Sequence, residues 1–264
     1  MFGKEIVMKK GYRVLLVFAM ALLFTVVCKT GVQAASDVTL KNGKWVSGTF
    51  TSEETDQYYK INVKKTGYIR VQYNCKKDES AQFDLCNAQK KEIVKNAGAL
   101  FKNKADSYIG VKKGTYYIHI SRVEGNYKIR YTFTAMNKIA KTVKPGQVSK
   151  AQTLKKNKQV SGVILPENKQ RRVYYRFDVP EKKTVKFQYE IGSNQTGLGL
   201  WLRIADAKGK FMSFKDNGTV DKSQDLNTAW DDKGNDSVVL EAGTYYFVIQ
   251  AAPGNSGYFK LKLK

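Results

Sequence analysis

One acidic and amide-rich stretch of this 264-residue chain, residues 213–236, carries the side chains best suited to hold a metal ion. Its candidate ligands are Asp225, Asp231, Asp232, Asn235 and Asp236. Carboxylate and amide oxygens are the ligands that Ca²⁺ prefers. However, Asp and Asn are also common in loops because they favour turns, and this spacing does not match the calcium loop of an EF-hand. The sequence leaves two interpretations open, a calcium-binding loop or an ordinary polar loop, and it predicts no other cofactor.

The same stretch supplies a candidate ligand-binding surface, formed by Trp230, Asn227 and Lys233. An indole ring stacks well on a sugar ring or a peptide aromatic, but a loop tryptophan can equally fold back onto the core of its own domain. We expect the surface to lie in a loop that leaves the sandwich, with the lysine supplying positive charge beside the ring.

The remaining chemistry-bearing residues do not form a catalytic pattern. His119 is the only histidine, and it alternates to the opposite face from Ile118 and Ile120. A triad or a catalytic zinc site needs further partners at a suitable spacing, and the sequence shows no nucleophile elbow, zinc-ligand spacing or phosphate loop. We therefore predict a non-enzyme in which His119 has a structural role.

Two cysteines, Cys75 and Cys86, follow the N-terminal region, with ten residues between them. An even pair in an exported chain is compatible with a disulfide, which would stabilise the fold by about 2–3 kcal/mol if the two strands are neighbours. If the strands belong to opposite sheets, both residues are simply small buried side chains. The sequence leaves both alternatives open.

The N-terminal region has the pattern of a secretory signal peptide. Lys9, Lys10 and Arg13 precede the apolar run of residues 14–27, and a small-residue cleavage signal ends at Ala34. The apolar run is shorter than the roughly 20 residues that span a bilayer comfortably. We predict residues 1–34 to be a signal peptide and the chain to be secreted, possessing no transmembrane anchor after cleavage.

The charge balance favours anionic partners. The full chain has 46 Lys and Arg residues against 23 acids, a net charge of +23, and removal of residues 1–34 would leave +19. Such a charge attracts anionic polymers at long range. The lysines are dispersed, however, which favours a second interpretation, that they keep an exported β-protein soluble and protect its sheet edges.

Two similar segments organise the elements that must position these residues. Gly114–Ile120 (GTYYIHI) returns as Gly243–Ile249 (GTYYFVI), and each copy is followed by a glycine turn and an alternating strand. Period-two alternation runs through most of the chain, and sustained helical periodicity is missing. We predict an all-β chain with two tandem antiparallel β-sandwich (jelly-roll-like) domains, 35–136 and 147–264, joined by a linker at 137–146.

The paired tyrosines of both copies carry a further expectation. Tyr59, Tyr116, Tyr175 and Tyr245 alternate with core residues, so their neighbours point outward; these are Tyr58, Tyr117, Tyr174 and Tyr246. Exposed aromatic patches tend to be covered. The four outward tyrosines would form either an aromatic patch on the outer face of each sheet or a contact between the two copies, and we expect the contact.

Together these motifs resemble the bacterial pre-peptidase C-terminal (PPC) domain and, more distantly, the collagen-binding segments of clostridial collagenases. The matching residues are Gly48, Asp56, Tyr59, Ile61, Val63 and Gly114 to Tyr117 in copy one, and Gly162, Tyr175, Phe177, Val179, Leu200, Leu202, Asp206, Gly209 and Gly243 to Tyr246 in copy two. The resemblance implies jelly-roll sandwiches that accompany a secreted peptidase, yet no peptidase is present here. Copy two has Arg171 and Arg172 where the family favours acids, so the resemblance does not carry a calcium site to that position.

The sequence supports two functional hypotheses. The first is a secreted non-catalytic binding protein that recognises an extracellular polymer, either a polysaccharide, a matrix-type protein or an anionic cell-wall polymer. The alternative is a structural or accessory part of a secreted peptidase system that acts through protein–protein contacts. Nucleic acid is not an expected partner, because the lysines are not interleaved with aromatics along a groove.

Overall fold

In the computed structural model of this protein, the described residues are 37–50, 56–75, 82–99, 104–121, 125–194, 199–214, 220–221, 227–229 and 231–264. They all belong to one compact unit, Asp37–Lys264. Within this part of the chain, no helix has the length and apolar character required to cross a membrane. The predicted signal peptide lies outside the described residues and stays a prediction.

Among the described residues, nine strands form the first sheet pair. They are β1 (Val38–Thr39), β2 (Val46–Phe50), β3 (Asp56–Val63), β4 (Gly67–Cys75), β5 (Gln82–Cys86), β6 (Glu92–Ala99), β7 (Lys104–Val111), β8 (Gly114–Ser121) and β9 (Gly125–Ala135). One sheet has the order β1-β3-β8-β5-β6, and the other has the order β2-β9-β4-β7. The pairing is antiparallel except between β1 and β3.

In the described part of the chain that follows, there are eleven strands and a short 3₁₀ turn (Val148–Lys150). The strands are β10 (Gln152–Thr153), β11 (Gln159–Ile164), β12 (Arg171–Val179), β13 (Lys183–Ser193), β14 (Leu200–Ala205), β15 (Ser213–Phe214), β16 (Val220–Asp221), β17 (Asn227–Ala229), β18 (Asp231–Leu240), β19 (Gly243–Ala251) and β20 (Gly257–Leu263). The second sheet pair has the orders β10-β12-β19-β14-β17 and β11-β20-β13-β18, and β15 pairs with β16.

Alternation of apolar and polar residues explains why these segments are strands. On β3, Tyr59, Ile61 and Val63 are buried, whereas Asp56 and Asn62 are exposed. Successive side chains of a strand point to opposite faces, so one face of each sheet enters a core. Each sheet pair encloses its own hydrophobic cluster. The all-β, antiparallel sandwich class predicted from the sequence is confirmed.

The two five-stranded sheets correspond strand by strand. In the first, β3 pairs with β8 and β8 pairs with β5; in the second, β12 pairs with β19 and β19 pairs with β14. The two central strands, β8 and β19, begin with the repeated segments Gly114–Ile120 and Gly243–Ile249. The domain boundaries at 35–136, 137–146 and 147–264 stay a prediction.

The predicted linker is bound to the second sheet pair along its length. Ile139 makes a parallel bridge with Val163, and Val143 makes an antiparallel bridge with Arg172. Val143 also packs in a small cluster with Tyr174 and Tyr246. The expected contact between copies through the outward tyrosines is therefore wrong, because the linker backbone pairs with β12 and covers two of them.

Other residues join the two sheet pairs. Tyr68 of the first stacks on Tyr258 of the second, with ring centroids 3.9 Å apart, and Tyr108 packs beside them. The buried Ser256 hydroxyl accepts a hydrogen bond from the Gly110 backbone N–H at 2.8 Å and donates to the Ile164 carbonyl at 2.9 Å. The two sheet pairs therefore share an aromatic and hydrogen-bonded contact.

Candidate functional site

Two of the three predicted ligand-binding residues, Asn227 and Lys233, lie on strands and not on a loop. Asn227 begins β17 in the five-stranded sheet and lies opposite Leu202, whereas Lys233 is on β18 in the four-stranded sheet and lies opposite Glu190. Trp230 lies outside the described residues. The loop expectation is wrong here because backbone pairing with β13 and β14 overrides the turn preference of the Asp and Asn residues.

The candidate calcium ligands lie in the same strands. Asp231, Asp232, Asn235 and Asp236 all belong to β18, and Asp225 lies outside the described residues. Asn235 Oδ1 accepts a hydrogen bond from Lys264 Nζ at 2.8 Å, and Asp236 Oδ1 accepts one from the Ser237 backbone N–H. Neighbouring strand residues point to opposite faces, so these two do not converge on one ion. Calcium binding by this set of residues stays a prediction.

Cys75 and Cys86 end strands of different sheets, β4 and β5. Cys86 is a free and fully buried thiol. Burial, together with the Asp84 and Glu92 carboxylates, raises the pKa of Cys86 to about 12. Of the two alternatives left open by the sequence, the structure therefore has the one in which Cys86 is not bridged.

A cluster of polar and aromatic residues, which sequence reasoning missed, occupies the outer face of the first five-stranded sheet. Strand register places Tyr58 of β3 and Asp84 of β5 on either side of His119 of β8. Glu92 of β6 lies opposite Cys86. One ligand atom each from Asp84, Glu92 and His119 can lie within 4.8 Å of the others. We call Asp56, Tyr58, Asp84, Glu92 and His119 the histidine cluster.

His119 is held between two carboxylates. Its Nε2 lies 2.8 Å from Asp56 Oδ1, and its Nδ1 lies 3.4 Å from Asp84 Oδ2. The Asp84 carboxylate raises the pKa of His119, burial of the ring opposes this, and Asp56 adds to the increase. The His119 side chain is 12% exposed, so the interaction with the two acids is only partly screened by water.

Aromatic rings cover the imidazole and extend the cluster toward the sheet edge. Tyr58 stacks on His119 with centroids 4.4 Å apart and an interplanar angle of 10°. Lys90 Nζ lies 4.6 Å from the Tyr58 ring centroid and 5.2 Å from that of Tyr117, and it also contacts Asp37 Oδ1 at 2.7 Å. The lysine charge is therefore shared between a carboxylate and two π-faces.

The corresponding face of the second five-stranded sheet has different chemistry. In the second sheet, Val248 lies opposite Tyr174 on one side and Arg203 on the other. In the first sheet, His119 has the corresponding position, opposite Tyr58 and Asp84. Aligning the strands of the two copies is thus the sequence signal that could have singled out His119 and Asp84.

Two arginines and two aromatic rings form a row on that second face. Arg203 lies over Trp201 of the same strand, with its guanidinium carbon 4.1 Å from the ring centroid. Phe211 follows, with its ring centroid 4.6 Å from the Arg203 guanidinium carbon, and the Arg172 guanidinium carbon of β12 lies 4.4 Å from the same centroid. We call Arg172, Phe211, Arg203 and Trp201 the arginine–aromatic row.

A tight turn places Phe211 in the row. Asp206 Oδ1 accepts hydrogen bonds from the Lys208 and Lys210 backbone N–H groups, and Ala205 forms an antiparallel bridge with Phe211. Gly209 in this turn has a φ of +79°, a conformation that glycine adopts without strain. The chain therefore folds straight back and places the phenyl ring beside the guanidinium groups of Arg172 and Arg203.

Arg172 is oriented by neutral groups. Its Nε donates to Gln250 Oε1 at 3.0 Å, and one terminal nitrogen donates to the Tyr174 hydroxyl at 3.3 Å. All four residues of the row are partly exposed. The row can therefore present aromatic and guanidinium groups side by side to a ligand lying on the sheet.

A separate depression involves the predicted residue Lys233. It has a volume of about 300 Å³ and is also lined by Glu190 and Lys260. Lys260 Nζ contacts both oxygens of Glu190, at 2.9 and 3.0 Å. Because charges of both signs already pair inside it, this depression offers no clear preference for an anionic or a cationic ligand.

Comparison with known proteins gives distant similarities. No family model matches the chain, and no curated protein matches it. Among solved structures it is similar to the pre-peptidase C-terminal domain of a collagenase from Bacillus anthracis, with 14% identity and a TM-score of 0.33, covering 36% of this chain and 94% of that domain.

Two further structures are similar over a longer range. A putative secreted protein from Eubacterium rectale shares 10% identity with a TM-score of 0.26, covering 91% of this chain and 81% of that one. A fucolectin from striped bass (Morone saxatilis) serum shares 10% identity with a TM-score of 0.24, covering 84% and 85%. At these values the similarities indicate no function for this chain, and membership of the PPC family stays a prediction.

Proposed function

We propose that this protein is a secreted, non-catalytic β-sandwich protein that binds an anionic extracellular polymer through the arginine–aromatic row. The observation that carries the proposal is the alternation of two guanidinium groups with two aromatic rings on a partly exposed sheet face, at spacings of 4.1, 4.6 and 4.4 Å. A polymer with ring-shaped, acidic repeating units matches both properties of this surface.

Stacking supports recognition of a ring. Arg203 lies over the rings of Trp201 and Phe211, and because these contacts already restrict the side chains, binding costs less side-chain entropy. Aromatic and guanidinium faces accept the apolar face of a sugar or another planar group. The strand pairing of β14 with β17 and β19 fixes the backbone under the row.

Charge supports the choice of an acidic polymer. The hydrogen-bond acceptors that orient Arg172 are an amide and a phenol, so its positive charge is retained for a ligand. A carboxylate or phosphate can take bidentate hydrogen bonds from such a group. The net charge, +19 once the predicted signal peptide (residues 1–34) is removed, adds long-range attraction that is independent of the row.

Co-sedimentation with insoluble polymers tests the proposal. The panel comprises a polyuronate gel, purified anionic cell wall, collagen and a neutral glucan, each at low and at raised salt. We expect binding to the acidic polymers, weakened by salt because exposed charges are screened. Trp201→Ala and Arg172→Gln are expected to reduce binding about tenfold or more, as loss of one good contact of about 1.4 kcal/mol would.

Arg176→Gln is the matched control. Arg176 is on the same strand as Arg172, is exposed, and contacts Asp178 at 3.0 Å, so its replacement removes the same charge outside the row. Equal losses in the two arginine variants would mean that net charge alone drives binding. That result, or binding to none of the acidic polymers, would overturn the proposal.

A further inference from the structure

We propose that Asp84, Glu92 and His119 bind one divalent cation of the zinc class, with a coordination position left open for water or for an oxygen of an external ligand. These residues lie on the first five-stranded sheet, whereas the arginine–aromatic row lies on the second. The inference is therefore independent of the proposed function.

The spacing of the donor atoms fits a tetrahedral ion. His119 Nδ1 and Asp84 Oδ2 are 3.4 Å apart, which is longer than a good N–H···O hydrogen bond. Metal–ligand bonds of 2.0–2.2 Å at a tetrahedral angle separate two ligand atoms by about 3.4 Å. Glu92 supplies a third donor atom within 4.8 Å, on an exposed side chain that is free to close this distance.

An orphaned buried atom points to the same position. Among the described residues, His119 Nδ1 has no hydrogen-bond partner although the atom is buried. Buried polar atoms are nearly always paired, and each exception calls for an explanation. Asp84 is 8% exposed, and its other oxygen is anchored by the Asn96 backbone N–H at 2.6 Å. A cation between Nδ1 and Asp84 would satisfy both groups.

The surroundings of the imidazole match those of a metal-bound histidine. Metal-ligating histidines usually donate their second ring N–H to a carboxylate, which fixes the tautomer and the ring orientation. His119 Nε2 contacts Asp56 Oδ1 at 2.8 Å, which leaves the Nδ1 lone pair directed toward Asp84. Tyr58, stacked on the ring, holds its plane. The orientation of the His119 ring and the nitrogen available to a metal are therefore set before an ion binds.

The donor set selects the class of metal. An imidazole nitrogen suits zinc, copper, nickel and related transition ions, whereas Ca²⁺ and Mg²⁺ take oxygen ligands. One histidine and two carboxylates give three protein ligands, and a four-coordinate ion then keeps one position open.

The second sheet shows that the fold does not require these residues. At the corresponding register positions it has Val248 in place of His119 and Arg203 in place of Asp84. Val248 is fully buried and packs in an apolar cluster, so a non-polar residue is compatible with this position of the sheet. Packing of the sheet therefore does not explain why the first sheet has His119 and Asp84 at these positions.

Zinc titration of the full chain, made without a histidine tag, tests the inference. His119 is the only histidine, so its ring resonances in an NMR spectrum report on this site alone. We expect one equivalent of Zn²⁺ to shift them saturably, chelator to reverse the shift, and Ca²⁺ to leave them unmoved. Native mass spectrometry counts one bound ion per chain.

Four variants separate a built site from incidental binding. Glu92→Gln, an exposed position where folding is not at risk, should weaken zinc binding at least about tenfold, and Asp56→Asn should weaken it by about 10–100-fold, the usual cost of losing an outer-sphere partner. His119→Val, which copies the residue of the second sheet, should abolish stoichiometric binding. Glu241→Gln, an exposed acid paired with Lys182, is the matched control and should bind as the original chain does.

Two results would overturn the inference. One is a histidine spectrum that zinc leaves unchanged, which would make His119 only an imidazolium bridging two acids. The other is zinc affinity that is equal in the Glu92→Gln variant, the His119→Val variant and the original chain, which would place the ion elsewhere.

Discussion

Replacement of Ser256 by alanine tests whether the two sheet pairs depend on each other for stability. Ser256 is fully buried, and its hydroxyl connects Gly110 of the first pair with Ile164 of the second. Ser256→Ala leaves a buried N–H without its acceptor and removes one donor from a carbonyl. Each buried group left unsatisfied costs about 1–3 kcal/mol, and the carbonyl costs less because it has a second lone pair.

The expected loss is about 2–4 kcal/mol in the free energy of unfolding. For a chain of this size, that corresponds to a decrease of about 4–16 °C in the melting temperature. Calorimetry or denaturant unfolding measures it, with Ser47→Ala as the control, because Ser47 is an exposed serine on β2. We expect the control to change stability by less than about 0.5 kcal/mol. A Ser256→Ala variant as stable as the control would refute the reasoning.

Two further predictions concern His119 and Cys86. In the presence of chelator, His119 should contribute stability that is fully present below its unfolded pKa of about 6.5 and is lost as the pH rises through its higher folded pKa. Unfolding measured at a series of pH values across this range should show the loss in the original chain. If the free energy of unfolding depends on pH equally in His119→Val, the prediction is contradicted. Cys86, with a pKa of about 12 and no exposure, should resist alkylation in the native protein and react once the chain is unfolded, without reductant; failure to react in denaturant would indicate a disulfide after all.

Local pattern was sufficient to predict the strands. Apolar and polar residues alternate along β3 and β12, and this alternation predicted the fold class. It is visible in the sequence because the residues on the buried face of a strand are two positions apart. The repeated segment Gly243–Ile249 likewise identified the central strand β19. These features are set by nearest neighbours along the chain, so one sequence reveals them.

The histidine cluster could not be predicted in the same way. Its members come from β3, β5, β6 and β8, and only the pairing register brings His119 between Asp56 and Asp84. Register between distant strands is fixed by the whole sheet, so the pattern around a single strand made His119 look isolated. The same limit applies to Phe211, which reaches the arginine–aromatic row through a turn.

The loop prediction for the acidic stretch, residues 213–236, was wrong because it relied on local composition alone. Composition favoured a loop through Asp231 and Asp236, yet ten residue pairs connect β13 with β18. Once the edge of β13 offers hydrogen bonds to the chain, the backbone gains more from pairing than Asp and Asn gain from local turns. Propensity is a weak guide wherever a sheet edge is available.

A hydrogen–deuterium exchange footprint of the protein with a bound polyuronate tests the central claim most directly. We predict that the polymer slows exchange along β14 and around Phe211, and that this protection is lost in the Arg172→Gln variant but kept in the Arg176→Gln variant. Protection confined to the first sheet pair, or the same protection in both variants, would contradict the account.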